Sequence, residues 1–335
     1  MDKWSNTHGS PLVFDVGEEK LLKIVLSHSN PSDKMTIRNG DDAAVIAPSS
    51  SALTTSVDAQ VEGVHFRRAW LSPRELGLRA FRVSASDIVA MGQKPDWALL
   101  SLGLPSDLSV YAFEELIAGF SEGCAQAGAQ LIGGNLTRSK ELSLHVTVFS
   151  NSGESNRFWS RSAAAAGDKI WITGSPGNAA AGLAILESEQ SSSTQFANLL
   201  ESWRTPLPHW KILKQLHAED LIHSCMDLSD GLVLDGMRMA HASALRFIIE
   251  LTSIPRDKAL TSAANTLGYS IDEWLLSGGE SYQLLLTASQ RPPQWAYDIG
   301  IRCIGHVESG SPGIEVTKKG ESLDLSLIKP GWDPF

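Results

Sequence analysis

Acidic residues at the ends of apolar runs carry most of the chemistry open to this 335-residue sequence. In "NGDDAAVIAP" the pair Asp41 and Asp42 stands between Gly40 and a run of small apolar residues; Asp58 closes "TTSV"; Asp227 and Asp230 follow "LIHSCM" in "DLSDG". Asp87 differs, because it belongs to the helical pattern "SPRELGLRAFRVSASDIVAMG". At about 100° per residue it lies within about 40° of Leu76, Ala80 and Val83, so its carboxylate leaves from the face due for burial. An ionised carboxylate there needs a cation, a set of hydrogen bonds or a proton. Each position alone also has an ordinary reading. "NGDD" is good turn material, Asp227 or Ser229 can cap the helix that follows, and Asp87 can meet an arginine or a loop. Several junction carboxylates in one chain are harder to explain singly. Oxygen ligands with no Cys or His cluster beside them suit Mg2+ or Mn2+ rather than zinc.

Carboxylates near strand ends can hold several divalent ions, which neutralise a polyphosphate better than a single lysine does. The sequence has no GxxxxGK[ST] loop and no HRD or DFG set, which sets aside the common nucleotide-binding folds. "GSPGNAAAGL" puts glycines ahead of a helix start, where an anion can bind, although an ordinary strand-to-helix turn is the simpler account. The formal net charge of −10 argues against a non-specific nucleic-acid or anionic-membrane binder and leaves phosphate ligands open through bridging cations. Cys124, Cys225 and Cys303 form no CxxC or Cys/His spacing and read as core thiols of a reducing compartment. The start "MDKWSNTHGSPLVF" lacks a basic stretch followed by an apolar one, and no apolar run nears the ~20 residues of a membrane span. The cytoplasm is the expected location.

The elements that must position these residues alternate between strand and helix, the pattern of mixed α/β architecture. At this length, with 42% hydrophobic and 20% charged residues, two domains are expected rather than one. "EEKLLKIVLSH" reads as a helix and "SALTTSVDAQVEG" as a strand. The Asp87 helix has Ser72 as N-cap, Pro73 at its first position, Glu75 three residues after the cap and Gly92 as its stop. Strand "DWALLSLGLP", helix "SVYAFEELIAGFSEGCAQAG" and strands "AQLIGG" and "ELSLHVTVFS" follow. Periodicity fades over residues 151–167, which places the boundary between domains 1–150 and 151–335. Beyond it lie strand "KIWITG", a helix in "SPGNAAAGLAILES", a helix after Pro208, strand "LIHSCM", a helix after "DLSDG", and strands "LRFIIEL" and "YQLLLT".

"GDDAAVI", "SVDAQVEGVHF", "SASDIVAMGQKPDWALLSLGLP", "LIGGNLTRS", "MDLSDGLVLD", "SGGESYQLLLT", "IGHV" and "GWDPF" occur in the order and spacing of the thiamine-monophosphate kinases. The sequence resembles that family from about Gly17 to Phe335, while "GDDAAV" and "DLSDGL" alone are shared with the wider superfamily of aminoimidazole ribonucleotide synthetase. The resemblance implies that superfamily's two-domain α/β (α+β) fold, with an N-terminal sheet domain that binds ATP and Mg2+ and builds a homodimer, and a C-terminal α/β domain closing the site. It implies ATP-dependent phosphorylation of thiamine monophosphate to thiamine diphosphate, with several Mg2+ ions. Carried over position by position, Asp42, Ser56, Asp58, Asp87 and Asp227 match metal-binding positions, with Asp230 a further one, and Gly134, Asn135, Arg161 and Ser229 match nucleotide-site positions. His65, Glu280 and Trp332 match positions that hold the thiamine phosphate. Three residues depart from the pattern. Asn135 stands where Asp is commoner, so it can ligate only as a neutral amide; Val57 replaces a Thr and can offer metal only its backbone carbonyl; Ser281 replaces the Asp that usually follows Glu280.

The implied acceptor is a phosphate oxygen, largely ionised near neutral pH because a phosphate's second pKa is ~6. No general base is required, and none is assigned. The barrier lies in bringing two anions together, which metal ions and Arg161 would lower by screening charge and fixing the in-line geometry. The alternatives are another superfamily enzyme acting on a different acceptor, or a protein that binds nucleotide or thiamine phosphate without turnover.

Overall fold

The computed structural model describes Trp4 and residues 10–28, 35–37, 45–46, 52–151, 157–188 and 194–327. Asp41, Asp42 and Trp332 fall outside the described residues. The chain divides into two units, Met1–Ile88 with Gln93–Arg157, and Val89–Gly92 with Phe158–Phe335.

The first unit opens with helices α1 (Val13–Val16) and α2 (Glu18–Ser27), and strands β1 (Met35–Ile37) and β2 (Val45–Ile46) pair antiparallel. Its centre is strand β3 (Leu53–Val61), helix α3 (Pro73–Ala90), strand β4 (Trp97–Leu104), helix α4 (Val110–Ala127), and strands β5 (Gln130–Arg138) and β6 (Ser143–Asn151). The capping box that starts α3 is formed: Glu75 N–H donates to Ser72 Oγ at 3.2 Å and Ser72 N–H to the Glu75 carboxylate at 2.6 Å. Gly92, at φ +75°, supplies the left-handed residue that turns the chain after it. Helices α3 and α4 approach so closely that a Cβ on Gly77 or Gly119 would stand 1.9 or 2.0 Å from a carbonyl of the other helix.

The strands run in the order β3-β6-β4-β5. Only the β4–β5 pair is parallel, as the intervening α4 requires. On β3 the odd and even positions face opposite ways. Ser56 and Gln60 bond to residues of α3, so Ser56, Asp58 and Gln60 face the helices. The other side presents Leu53 and Val57, 60% and 65% exposed, and in the rows beside them the half-buried Leu99 and Phe149, which pack on Trp97 and Ile132.

The second unit holds β7 (Lys169–Thr173), α5 (Asn178–Glu187), α6 (Ala197–Arg204), α7 (Leu213–Glu219), β8 (Ile222–Asp227), α8 (Leu232–Ser243), β9 (Arg246–Glu250), α9 (Lys258–Leu267) and α10 (Ile271–Ser277). Next come β10 (Leu284–Ala288), α11 (Gln294–Asp298), β11 (Ile301–Glu308), β12 (Gly313–Lys318) and β13 (Glu321–Ser322). The sheet order is β13-β12-β9-β11-β7-β10-β8, with β12–β9 its parallel pair. β10 runs between β7 and β8 and every residue of it is buried, which explains why its apolar run "LLL" shows no alternation. Asp227 ends the edge strand β8 opposite Leu284, so the sheet itself carries the acidic loop that follows.

The structure adjusts several expectations. β5 continues through "NLTR" rather than ending at "GG". Neither Asp227 nor Ser229 caps α8: the N-cap is Gly231, and the loop's N–H groups turn instead to Asp235. Cys124 and Cys225 are buried thiols, whereas Cys303 is half-exposed. Helices α9 and α10 and strands β11 and β12 are additions that the sequence pattern did not disclose.

Candidate active site

In the first unit, β3 and the C-terminal half of α3 bring Ser56, Asp58 and Asp87 together. Ser56 Oγ donates to Asp87 Oδ2 at 2.5 Å. Burial, with the Asp87 charge added, pushes the Asp58 carboxyl up to about 6. Among the described residues, neither carboxylate forms an ion pair with a lysine or arginine. The helical face inferred for Asp87 is therefore correct, and a hydrogen bond is part of its relief. Two facing carboxylates and a hydroxyl, one carboxyl already strained toward protonation, are a donor set that suits a hard divalent cation. The described residues contain no group of three or more His, Cys, Asp or Glu placed to hold a metal ion.

His65 sits in the loop after β3. Its Nδ1 accepts the Val61 N–H at 3.1 Å, which fixes the neutral ring as the Nε2–H tautomer and makes Nε2 the donor. Glu62 stabilises this loop, accepting from Arg68 Nε at 3.1 Å and from Leu142 N–H at 3.2 Å. Gly134 and Asn135 lie on β5, the opposite edge from β3. Gly134 shares a cross-strand row with Asp58 and Leu100, and its Cα passes so near the neighbouring strand that a Cβ would meet Leu100 O at 1.8 Å. Asn135 belongs to the adjacent row with Ala59, His145 and Ser101, hence to the other face. At ~4.8 Å per strand, the β3 and β5 edges are about 14 Å apart. One chain does not bring Asn135 to Asp58. Val57, on β3, turns its side chain away from the Asp58 side.

In the second unit two loops interlock. Glu280 N–H donates to Ser229 O at 2.7 Å, Tyr282 N–H to Leu228 O at 2.9 Å, and Leu228 N–H to Gln283 O at 2.8 Å. Ser281, in place of the usual Asp, spends its hydroxyl on Leu228 O at 3.2 Å. Glu280 and Tyr282 both take left-handed backbone, φ 61° and 50°, an arrangement held by these bonds. Gln283 adds a brace: its Oε1 accepts from Thr173 Oγ1 at 3.1 Å and from the half-buried ring of His209 at 2.8 Å. Burial pushes the His209 pKa down, so that ring is neutral.

Asp227 is 4% exposed at the end of β8. Asp230 accepts from the Arg238 guanidinium, which also reaches Asp235 at 2.8 Å. Asp235 is fully buried and takes the N–H groups of Asp230 and Gly231 at 2.9 and 3.1 Å. Burial is the largest cause that holds its carboxyl up at about 6, against the bonds that lower it. Arg161 is exposed, its carbonyl accepting from Ser243 Oγ at 2.9 Å. The shaping residues Asp235, Glu62 and Trp203, whose indole reaches Glu280, escaped the sequence reading. Asp235 and Glu62 had a signal, as members of "MDLSDGLVLD" and "SVDAQVEGVHF", and Trp203 had none.

Both halves match AIR synthase related proteins, the N-terminal domain over residues 40–151 and the C-terminal domain over residues 165–300. Fold and acidic loops thus define a two-domain protein of the AIR synthase related class. A thiamine-monophosphate kinase of Aquifex aeolicus is 32% identical over 298 residues, 88% of this chain and 92% of the relative. Its counterpart in Escherichia coli O157:H7 is 33% identical over 309 residues, 88% and 91% of the two. A solved structure of AaThiL complexed with AMPPCP and TMP superposes with a TM-score of 0.74 at 30% identity, covering 96% of this chain and 97% of that one. The chain belongs to the thiamine-monophosphate kinase family.

Proposed function

We propose that the protein phosphorylates thiamine monophosphate to thiamine diphosphate at the expense of ATP. The observation that carries this reading is the meeting of Asp58 and Asp87, two carboxylates without a described counter-cation, in a chain related to these kinases over most of its length. Asp58, Asp87 and Ser56 would hold Mg2+ in the first unit, and Asp227 with Asp230 in the second; Asp42, the Asn135 amide and the Val57 carbonyl complete the assigned set. Bound there, Mg2+ supplies the positive charge that offsets repulsion between a triphosphate and a phosphate acceptor.

The chain's own residues have simpler tasks. His65 donates its Nε2–H to the substrate phosphate, and Glu280 and Trp332 take the thiamine moiety, Trp332 through a cation–π contact worth ~0.5 to 2 kcal/mol. Gly134, Asn135 and Ser229 serve the nucleotide, and Arg161 stabilises charge on the transferred group. No residue needs to remove a proton, since the acceptor oxygen is already ionised.

Because one chain keeps Asn135 and Asp58 at opposite edges and faces of the sheet, a site using both requires two copies, the β5 edge of one beside the β3 edge of the other. The apolar face at Leu53, Val57, Leu99 and Phe149 would be covered in such a homodimer. The free cysteines suit a reducing cytoplasm. A coupled ADP assay with thiamine monophosphate, thiamine or no acceptor, each with and without Mg2+, tests the activity. ADP release that needs both Mg2+ and thiamine monophosphate is expected. Release indifferent to the acceptor, or thermal stabilisation by the ligands with no release, would overturn it.

A further inference from the structure

The backbone of residues 278–283 is tightly held, yet those bonds do not fix the Glu280 carboxylate, which still has three side-chain torsions. One constraint on it comes from α6. Trp203 is 1% exposed, and its indole Nε1–H donates to Glu280 Oε2 at 2.6 Å, across 77 residues of sequence. The indole is itself rigidly seated, because α6 lies against α5 at Gly182, where a Cβ would come within 2.1 Å of Leu199 O and 3.2 Å of Trp203 Cβ.

We infer that Trp203 is a positioning residue that sets the Glu280 carboxylate for the cationic thiamine moiety. The choice of donor matters. An indole N–H only donates and carries no charge, so it holds a carboxylate oxygen in place without neutralising it. Trp203 thereby orders the carboxylate in the free protein rather than on binding. The inference rests on the assignment of Glu280 to the substrate.

Trp203→Phe keeps the aromatic packing and removes the donor. It is expected to raise KM for thiamine monophosphate about tenfold, equivalent to ~1.4 kcal/mol, while kcat and KM for ATP change less than about threefold. Combined with Glu280→Gln, the tryptophan change should add much less than it does alone. An unchanged KM for thiamine monophosphate in W203F, with a raised one in E280Q, would overturn the role of Trp203. No effect in E280Q would instead overturn the assignment of Glu280. If W203F does not fold, the wild-type indole N–H resonance that moves in E280Q provides the reading. It should shift on addition of thiamine monophosphate and stay put with a non-hydrolysable ATP analogue; immobility with both rejects the inference.

Discussion

At the residue scale, the pairing of Asp87 with Asp58 and Ser56 makes a sharp prediction. Asp87→Asn keeps the Ser56 hydrogen bond feasible and the volume nearly constant while removing one charge. It should lower kcat for thiamine diphosphate formation by two or more orders of magnitude with the melting temperature near wild type; near-normal turnover would remove the metal role. Glu280→Gln should chiefly raise KM for thiamine monophosphate, measured against an unaltered KM for ATP. The helical position of Asp87 was legible because period 3.6 fixes a side chain's face from sequence alone. Its partner Ser56, 31 residues upstream on a strand, was named only through the family resemblance. The Trp203–Glu280 contact had no such route, since nothing in the spacing of two residues 77 positions apart announces a meeting.

At the element scale, Glu250 shows how a carboxylate can organise local structure without chemistry. Its oxygens accept from Thr252 Oγ1 and N–H, Lys319 N–H and Thr317 Oγ1, tying the end of β9 to β12 and the turn beyond it. The Thr252 hydroxyl leads the causes that lower its pKa from the ordinary 4.5 to about 2. A lowered carboxylate pKa adds stability that is complete above the ordinary value and is lost as pH falls toward 2. Glu250→Gln should therefore melt a little lower at pH 7, by about 2 °C once solvent screening is allowed for, with the deficit closing as pH falls from 4.5 to 2. A constant deficit across that range would show that charge is not involved. Gly134→Ala should weaken the first unit by about 2 to 3 kcal/mol or more in denaturant titration, because its Cβ would strike the Leu100 carbonyl. Strong signals such as the α3 capping box and the apolar run of β10 were readable in advance. Strand β11 was not: Arg302, Gly305 and its shifted register break the alternation that marks a half-buried strand.

At the scale of the whole molecule, the two-part organisation was visible as a fading of periodicity, but which side chains one chain can unite was not. Register decides that, and register is invisible in composition. Val57→Asp, on the open face of the first unit, should convert the proposed dimer to a monomer in light scattering at micromolar concentration and abolish transfer with it. The opposed edges of the β3-β6-β4-β5 sheet carry one further consequence. Subunits crippled by Asp87→Asn and subunits crippled by Asn135→Ala, each inactive by itself, should rescue one another when unfolded and refolded as a mixture. Every mixed pair would own one centre with both lesions and one with neither, so a quarter of the normal activity would return from two dead preparations.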